Sequence, residues 1–162
     1  MIKIKKLPAN RWLYYKNLRL ESLKKDSAAF GSSYEEEKKL PGAEWKKRTG
    51  NTLFAFSNDE PIGMVAYVFN NKRKIRHIAN IFGFYVKEKY RSRGIGKKLI
   101  EMVLSSIMKN KDIIKINLNV NLKQKSAVRL YKKFGFKIVG IMKKDLFVNG
   151  KFYEELIMEK FL

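Results

Sequence analysis

The stretch YRSRGIGKKLIEMV, residues 90–103, sets Gly94 and Gly96 among Arg91, Arg93, Lys97 and Lys98, and an apolar helical pattern follows at once. Ile95, Leu99, Met102, Val103 and Ile107 recur at helical spacing, so a helix is expected to start at the glycines and turn that stripe inward. Such a start leaves the backbone N–H groups from Ser92 to Lys97 without intrahelical partners. Glycine lets a bulky anion reach the backbone without meeting a Cβ, and a helix N-terminus ringed by cations favours negative charge. Two readings fit: a loop that holds a diphosphate, and a plain turn between surface lysines. A dinucleotide-binding loop needs a third glycine where Leu99 stands. The phosphate loop of nucleotide hydrolases needs Gly-Lys-Ser/Thr, but Gly96 is followed by Lys97, Lys98 and Leu99.

Working outward, the upstream half opens with an alternating strand, IKIKKL (Ile2–Leu7), stopped by Pro8. Apolar positions at Leu13, Tyr14, Tyr15, Leu18, Leu20 and Leu23 predict a helix over Arg11–Lys25. A small-residue loop (Ser27–Ser33) leads to the helical YEEEKKL, and Pro41-Gly42 separates it from a last short helix, AEWKKR. TLFAF (Thr52–Phe56), IGMVAYVF (Ile62–Phe69) and HIANIFGFYV (His77–Val86) read as a three-strand meander ending at the glycine loop. Downstream come a β-rich run (Asp112–Val120) and a short amphipathic helix (Gln124–Gly135) with a glycine C-cap. Two final strands meet at Asn149-Gly150, a strong hairpin signal. The expectation is one α+β domain spanning 1–162, with no repeat and no linker.

Composition narrows the class. The chain has 162 residues, 45% hydrophobic, with no apolar run near the ~20 residues of a bilayer span. MIKIKKLPANRW lacks a continuous apolar stretch, so a secretory signal is not expected and the cytoplasm is the default. No cysteine and a single histidine, His77, argue against a disulfide or a metal site. The net charge of +21 invites a nucleic-acid reading, but 28 of the 36 basic residues are lysines scattered from Lys3 to Lys160. Arginines, the favoured readers of base edges, are few, so nucleic-acid binding is disfavoured as a main function. A positive field still favours a polyanionic cofactor.

One strand beyond the glycine helix stands AVRLYKKFGF (Ala127–Phe136). RSRGIG (Arg91–Gly96) followed by this segment resembles the GCN5-related N-acetyltransferases (GNAT), which join a Q/R-x-x-G-x-G/A loop to a later A-x-x-L-Y-x-x-x-G-F element. VKEKYR resembles the family's strand-to-loop junction, VNGKFYEELIM its final hairpin, and FGSSYEEE falls where the acceptor site is usually shaped. The resemblance implies an α/β/α sandwich with a mixed, mostly antiparallel sheet of about seven strands, splayed at its centre. It implies acetyl-CoA as co-substrate and an amine acceptor, and it leaves a homodimer open.

Site residues follow from the same resemblance. Arg91, Ser92, Arg93, Gly94, Ile95, Gly96 and Lys97 are expected to hold the diphosphate, and the strand edge Phe84-Tyr85-Val86 to supply N–H groups to the pantetheine and the thioester carbonyl. Gly83 is open between a bulge and a packing glycine. Gln124 stands where the family commonly has a cofactor-touching asparagine and keeps both amide groups on a longer stem. Tyr131 occupies the family's tyrosine position, as the acid that protonates the leaving thiolate. In the ribosomal-protein alanine acetyltransferase branch a glutamate on the next strand is the base. The matching residue here is Asn119, which cannot accept the proton, so that branch's substrate is not carried over. Glu21, Glu35, Glu36 and Glu37 are the alternative carboxylates, and Phe30–Glu37 is expected to line the amine site as a mobile segment. Two rivals stay open: a non-catalytic acyl-CoA-binding domain, and the basic nucleic-acid binder.

Overall fold

Strands covered by helices on both faces bury every residue, and β3 shows this from Pro61 to Tyr67. The computed structural model describes residues Met1–Leu162. Seven strands form one sheet: β1 (Ile2–Lys6), β2 (Thr52–Ser57), β3 (Glu60–Phe69), β4 (Ile78–Val86), β5 (Lys115–Asn121), β6 (Lys137–Val148) and β7 (Lys151–Phe161). Their order is β1-β2-β3-β4-β5-β7-β6, and every pairing is antiparallel except β4 with β5. The helices are α1 (Trp12–Lys25), α2 (Tyr34–Glu37), α3 (Gly42–Thr49), α4 (Ile95–Met108) and α5 (Lys125–Lys133). This is the α+β sandwich the sequence implied. No helix is long and apolar enough to cross a membrane.

Strand alternation divides the core. Leu53 and Ala55 of β2 face α4, where Ile95, Leu99, Ile100, Val103 and Ile107 pack onto them with Val65 and Ile81. Phe54 and Phe56 face the other way, into Tyr15 and Leu18 of α1 and Trp45 of α3. Two stripes differ from expectation. Met102 is exposed and Ile100 and Leu104 are buried in α4, and in α1 Leu13 and Tyr14 face solvent while Arg19 and Ser22 are buried. Asp112–Ile114 precedes β5 instead of opening it, and the turn at Lys111–Asp112 is closed by the bond from Ile113 N–H to Asn110 C=O. The Asn149-Gly150 hairpin is as expected, with φ of 49° and 75°.

Two irregularities shape the centre of the sheet. β4 and β5 pair only at Ile78–Lys115, Ala79–Ile116 and Asn80–Asn117, then diverge, so the β5-facing edge of β4 from Ile81 to Val86 lies open. Between the pairs Met64–Tyr85 and Ala66–Phe82, the two residues Gly83 and Phe84 oppose Val65 alone. This is a β-bulge, and Gly83 takes φ +63° within it.

Candidate active site

The loop between β4 and α4 carries a run of unpaired backbone donors. No backbone N–H from Ser92 to Lys97 donates to a backbone carbonyl, and the first bond of α4 runs from Lys98 N–H to Gly94 C=O. Ser92 (φ +60°) and Gly94 (φ +76°) both take left-handed conformations. Ser92, Gly94, Ile95 and Gly96 of this run line a cleft of about 490 Å³ between the diverging strands, together with Phe84, Tyr85, Val86 and Gln124 among others. Six free donors at the N-terminus of a 14-residue helix fit a diphosphate, and an elongated gap along an open strand edge fits the arm that trails from it.

The sequence-predicted residues divide in use. Ile95 and Gly96 line the cleft with those just named, whereas Arg93 and Lys97 do not. The Arg93 guanidinium lies over the Tyr90 ring at 5.7 Å, and Lys97 pairs with Glu101 at 3.7 Å. Arg91 lines the cleft but is already engaged. Its Nε donates to the Val86 carbonyl at 2.9 Å, and its Nη2 pairs with Asp26 at the end of α1. A Cβ on Gly96 would stand 3.1 Å from Phe84 Cζ and 3.3 Å from Leu130 Cδ2, so that glycine serves helix–strand packing, not anion approach. The sequence did not indicate Asp26, or Lys123 and Lys125 across the cleft, which line it as well. Adjacency to the family's tyrosine helix was the one available signal for the lysines.

Tyr131 lies behind the cleft wall, not on it. Its ring packs 5.9 Å from Phe84 and 5.8 Å from Phe136, and burial pushes its phenol well above the ordinary tyrosine range. It therefore stays protonated near neutrality, as an acid must. Phe84 packs on the Tyr131 ring and also lies against Gly96, with its Cζ 3.1 Å from where a Cβ on that glycine would stand.

On the other face of the sheet the carboxylates sort themselves by partner. Glu35 pairs with Lys38, and Glu36 forms a capping box with Ser33. Glu37 is buried and takes both Nε (3.0 Å) and Nη2 (2.8 Å) of Arg19, with Arg48 Nη1 at 3.5 Å. Burial would raise its pKa, but the hydrogen bonds and charge of Arg19 more than offset this and hold it below the usual range. A carboxylate so committed is a poor base. Glu21 accepts the Tyr85 hydroxyl at 3.0 Å and lies 3.5 Å from Lys87 Nζ. Asn119 is exposed on β5. Phe30 and Glu37, at the two ends of Phe30–Glu37, both contact Arg19.

A splayed sheet with a free helix N-terminus at its mouth offers a cleft that ends in donors for an anion. The chain belongs to the acetyltransferase (GNAT) family, whose family model matches residues 16–136. It is an N-acetyltransferase, and acetyl-CoA is its co-substrate. The L-amino acid N-acetyltransferase AaaT of Escherichia coli K12 is 24% identical over 121 residues, which cover 72% of this chain and 74% of that protein. YokL of Bacillus subtilis 168, an N-acetyltransferase of SPbeta prophage origin, is 32% identical over 100 residues, 60% of this chain and 54% of YokL. Among solved structures, a GNAT acetyltransferase from Streptococcus pneumoniae matches with a TM-score of 0.88 at 22% identity, each chain fully covered. The yncA protein of Salmonella typhimurium, solved with acetyl-CoA, matches at 0.82 and 14% identity over 99% of this chain and 94% of its own. At these identities the likeness is one of fold.

Proposed function

We propose that this enzyme moves the acetyl group directly to a primary amine held beside acetyl-CoA in a ternary complex. The observation that carries the reading is the meeting of two cavities at one bulge. Phe84 lines the diphosphate cleft, and its neighbour Gly83 lines a second cavity of about 370 Å³ on the α1–α3 face. A carrier on one side and an amine on the other then reach the same point of β4. The absence of cysteine removes the most nucleophilic side chain for a covalent relay.

Acetyl-CoA supplies an acyl group activated as a thioester. The N–H groups from Ser92 to Lys97 hold its diphosphate, with Gln124 across the cleft. The open edge at Phe84-Tyr85-Val86 offers backbone donors to the carbonyl, where each donor is worth about 10²–10³ in rate. The acceptor ammonium gives up one proton before attack, and a second leaves once the C–N bond has formed and the C–S bond broken. Tyr131 donates to the departing sulfur and recovers its proton from the amine side, so one net proton reaches solvent. The name of the E. coli relative favours a small-molecule acceptor over a protein one.

Purified protein with acetyl-CoA and a panel of amines tests the reading. The expected result is amine-dependent release of CoA with a product 42 mass units heavier than the amine, as roughly one acetyl group replacing one hydrogen requires. Tight CoA binding with no amine-dependent release would identify a binding module instead.

A further inference from the structure

The second cavity has a built floor. Glu37 is satisfied by Arg19 Nε and Nη2 and approached by Arg48 Nη1, while Arg48 Nε is bonded to Glu44 at 2.9 Å. The outer Nη1 of Arg19 and Nη2 of Arg48 donate to nothing in the protein. Two guanidinium groups are thus fixed around one buried carboxylate with their outer N–H groups unspent, an arrangement suited to a planar anion. Arg19 Nη1 lies 3.9 Å from where a Cβ on Gly83 would stand, so one of these donors is at the bulge itself.

Charge and shape sharpen the point. Arg19, Lys47 and Arg48 outnumber Glu37 and Glu44 in the lining, and both carboxylates are engaged. A polycation finds no free acid there. Part of the lining is apolar: Met64 is buried, and Val68 and Phe82 remain 38% and 52% exposed. Exposed apolar side chains beside free guanidinium donors ask for a molecule with hydrocarbon at one end and an anion at the other.

We infer that the acceptor is a small carboxylate-bearing amine, an amino acid with an apolar side chain. Its carboxylate sits on the outer edges of Arg19 and Arg48, its side chain lies against Val68 and Phe82, and its amine points to the bulge at Gly83. This rests on the transfer reading above. It extends that reading by assigning the specificity to Arg48 and Arg19. Glu37 is the positioning residue that holds both.

Each common L-amino acid, assayed against its own amide, separates the carboxylate from everything else. For the accepted side chains kcat/KM is expected to fall roughly 100-fold or more from acid to amide, because the buried Arg19 and the partly exposed Arg48 lose the charge they pair with. Arg48→Met should shrink that ratio below about tenfold by raising KM for the acid, Arg48→Lys should restore part of it, and acetyl-CoA affinity should match the parent by calorimetry. Equal use of acid and amide, equal loss of both in Arg48→Met, or transfer confined to polyamines or protein lysines would overturn this inference and leave the transfer reading standing. Calorimetry of the CoA-loaded protein with the same amino acids distinguishes the reverse case. Carboxylate-dependent binding without acetyl transfer would sink the transfer reading and keep the pocket, and no binding with no transfer would sink both.

Discussion

Gly94 and Gly96 belong to one short motif and answer different physical needs. Gly94 has φ +76° with nothing within 4 Å of its would-be Cβ, so its constraint is backbone conformation and an open approach for the ligand. Gly96 has an ordinary helical place and too little room. Gly94→Val should therefore abolish most acetyl-CoA binding at a modest stability loss of about 1–2 kcal/mol from the left-handed backbone. Gly96→Val should chiefly lower the melting temperature, since overpacking costs about 1–3 kcal/mol. Calorimetry and thermal melts check the pair, and parent-like binding by Gly94→Val would end the loop assignment. Tyr131 poses the matching question in chemistry. Tyr131→Phe keeps the ring between Phe84 and Phe136 and removes only the proton donor. It should lower kcat by roughly 10²-fold or more with acetyl-CoA affinity and melting point near the parent. Unchanged turnover would make Tyr131 a packing residue behind Phe84.

At the level of elements, the end of β4, the glycine loop and the end of α1 form one braced unit. Arg91 spans the Val86 carbonyl and Asp26, its guanidinium lies 5.7 Å from the Tyr85 ring centre, and Tyr85 donates to Glu21 of α1. Asn121 of β5 reaches back to the Ala28 carbonyl at 2.8 Å, just beyond Asp26. The motif arginine thus sets the angle between the cofactor loop and the acceptor-side helix. Asp26→Asn breaks the ion pair at a partly exposed site, so stability should change by no more than about 1 kcal/mol. KM for acetyl-CoA and for the amine should both rise several-fold in steady-state kinetics, and no change in either would refute the brace. The sequence could not show this link, because Asp26 and Arg91 stand 65 residues apart and only the fold makes them neighbours. The same holds for Arg19 and Glu37, 18 apart, whose pairing takes Glu37 alone out of a run of solvated glutamates and makes it a cavity floor. What was legible was local chemistry: the free N–H groups before α4, the Asn-Gly hairpin, and strand alternation. The bulge at Gly83 was half legible, since glycine in a strand signals either a bulge or close packing. Met102 faces solvent because adjacent Ile100 and Leu104 complete the stripe better, a choice made by the sheet and not by spacing alone.

For the molecule as a whole, the +21 charge makes every buried carboxylate matter, and Glu155 titrates in an unusual range. It stands on β7 opposite Asn121 of β5 and Met142 of β6, and it is 9% exposed. The register of β6 against β7 shifts between Met142 and Leu146, and Asp145 in that interval shares a hydrogen bond with Glu155. Burial first, then this bond and the Asp145 charge, raise Glu155 to about 7 from 4.5. The sign of the effect follows from the direction of that shift. Between the unfolded value and about 7 the native state keeps a proton that the unfolded chain has released, so the contribution to stability is full below that window and is lost as pH rises through it. Glu37 acts oppositely: its pKa is lowered on folding, so its contribution is present at neutral pH and disappears only in acid. Glu155→Gln keeps the shape of the neutral acid and removes its titration. Melting temperatures of parent and variant, measured from pH 5 to pH 8, should lie close together at the acid end and separate toward pH 8 as the parent falls. Every other charge is common to both proteins, so the difference between the curves isolates this site. Parallel curves across the range would show that Glu155 is ionised in the folded protein throughout.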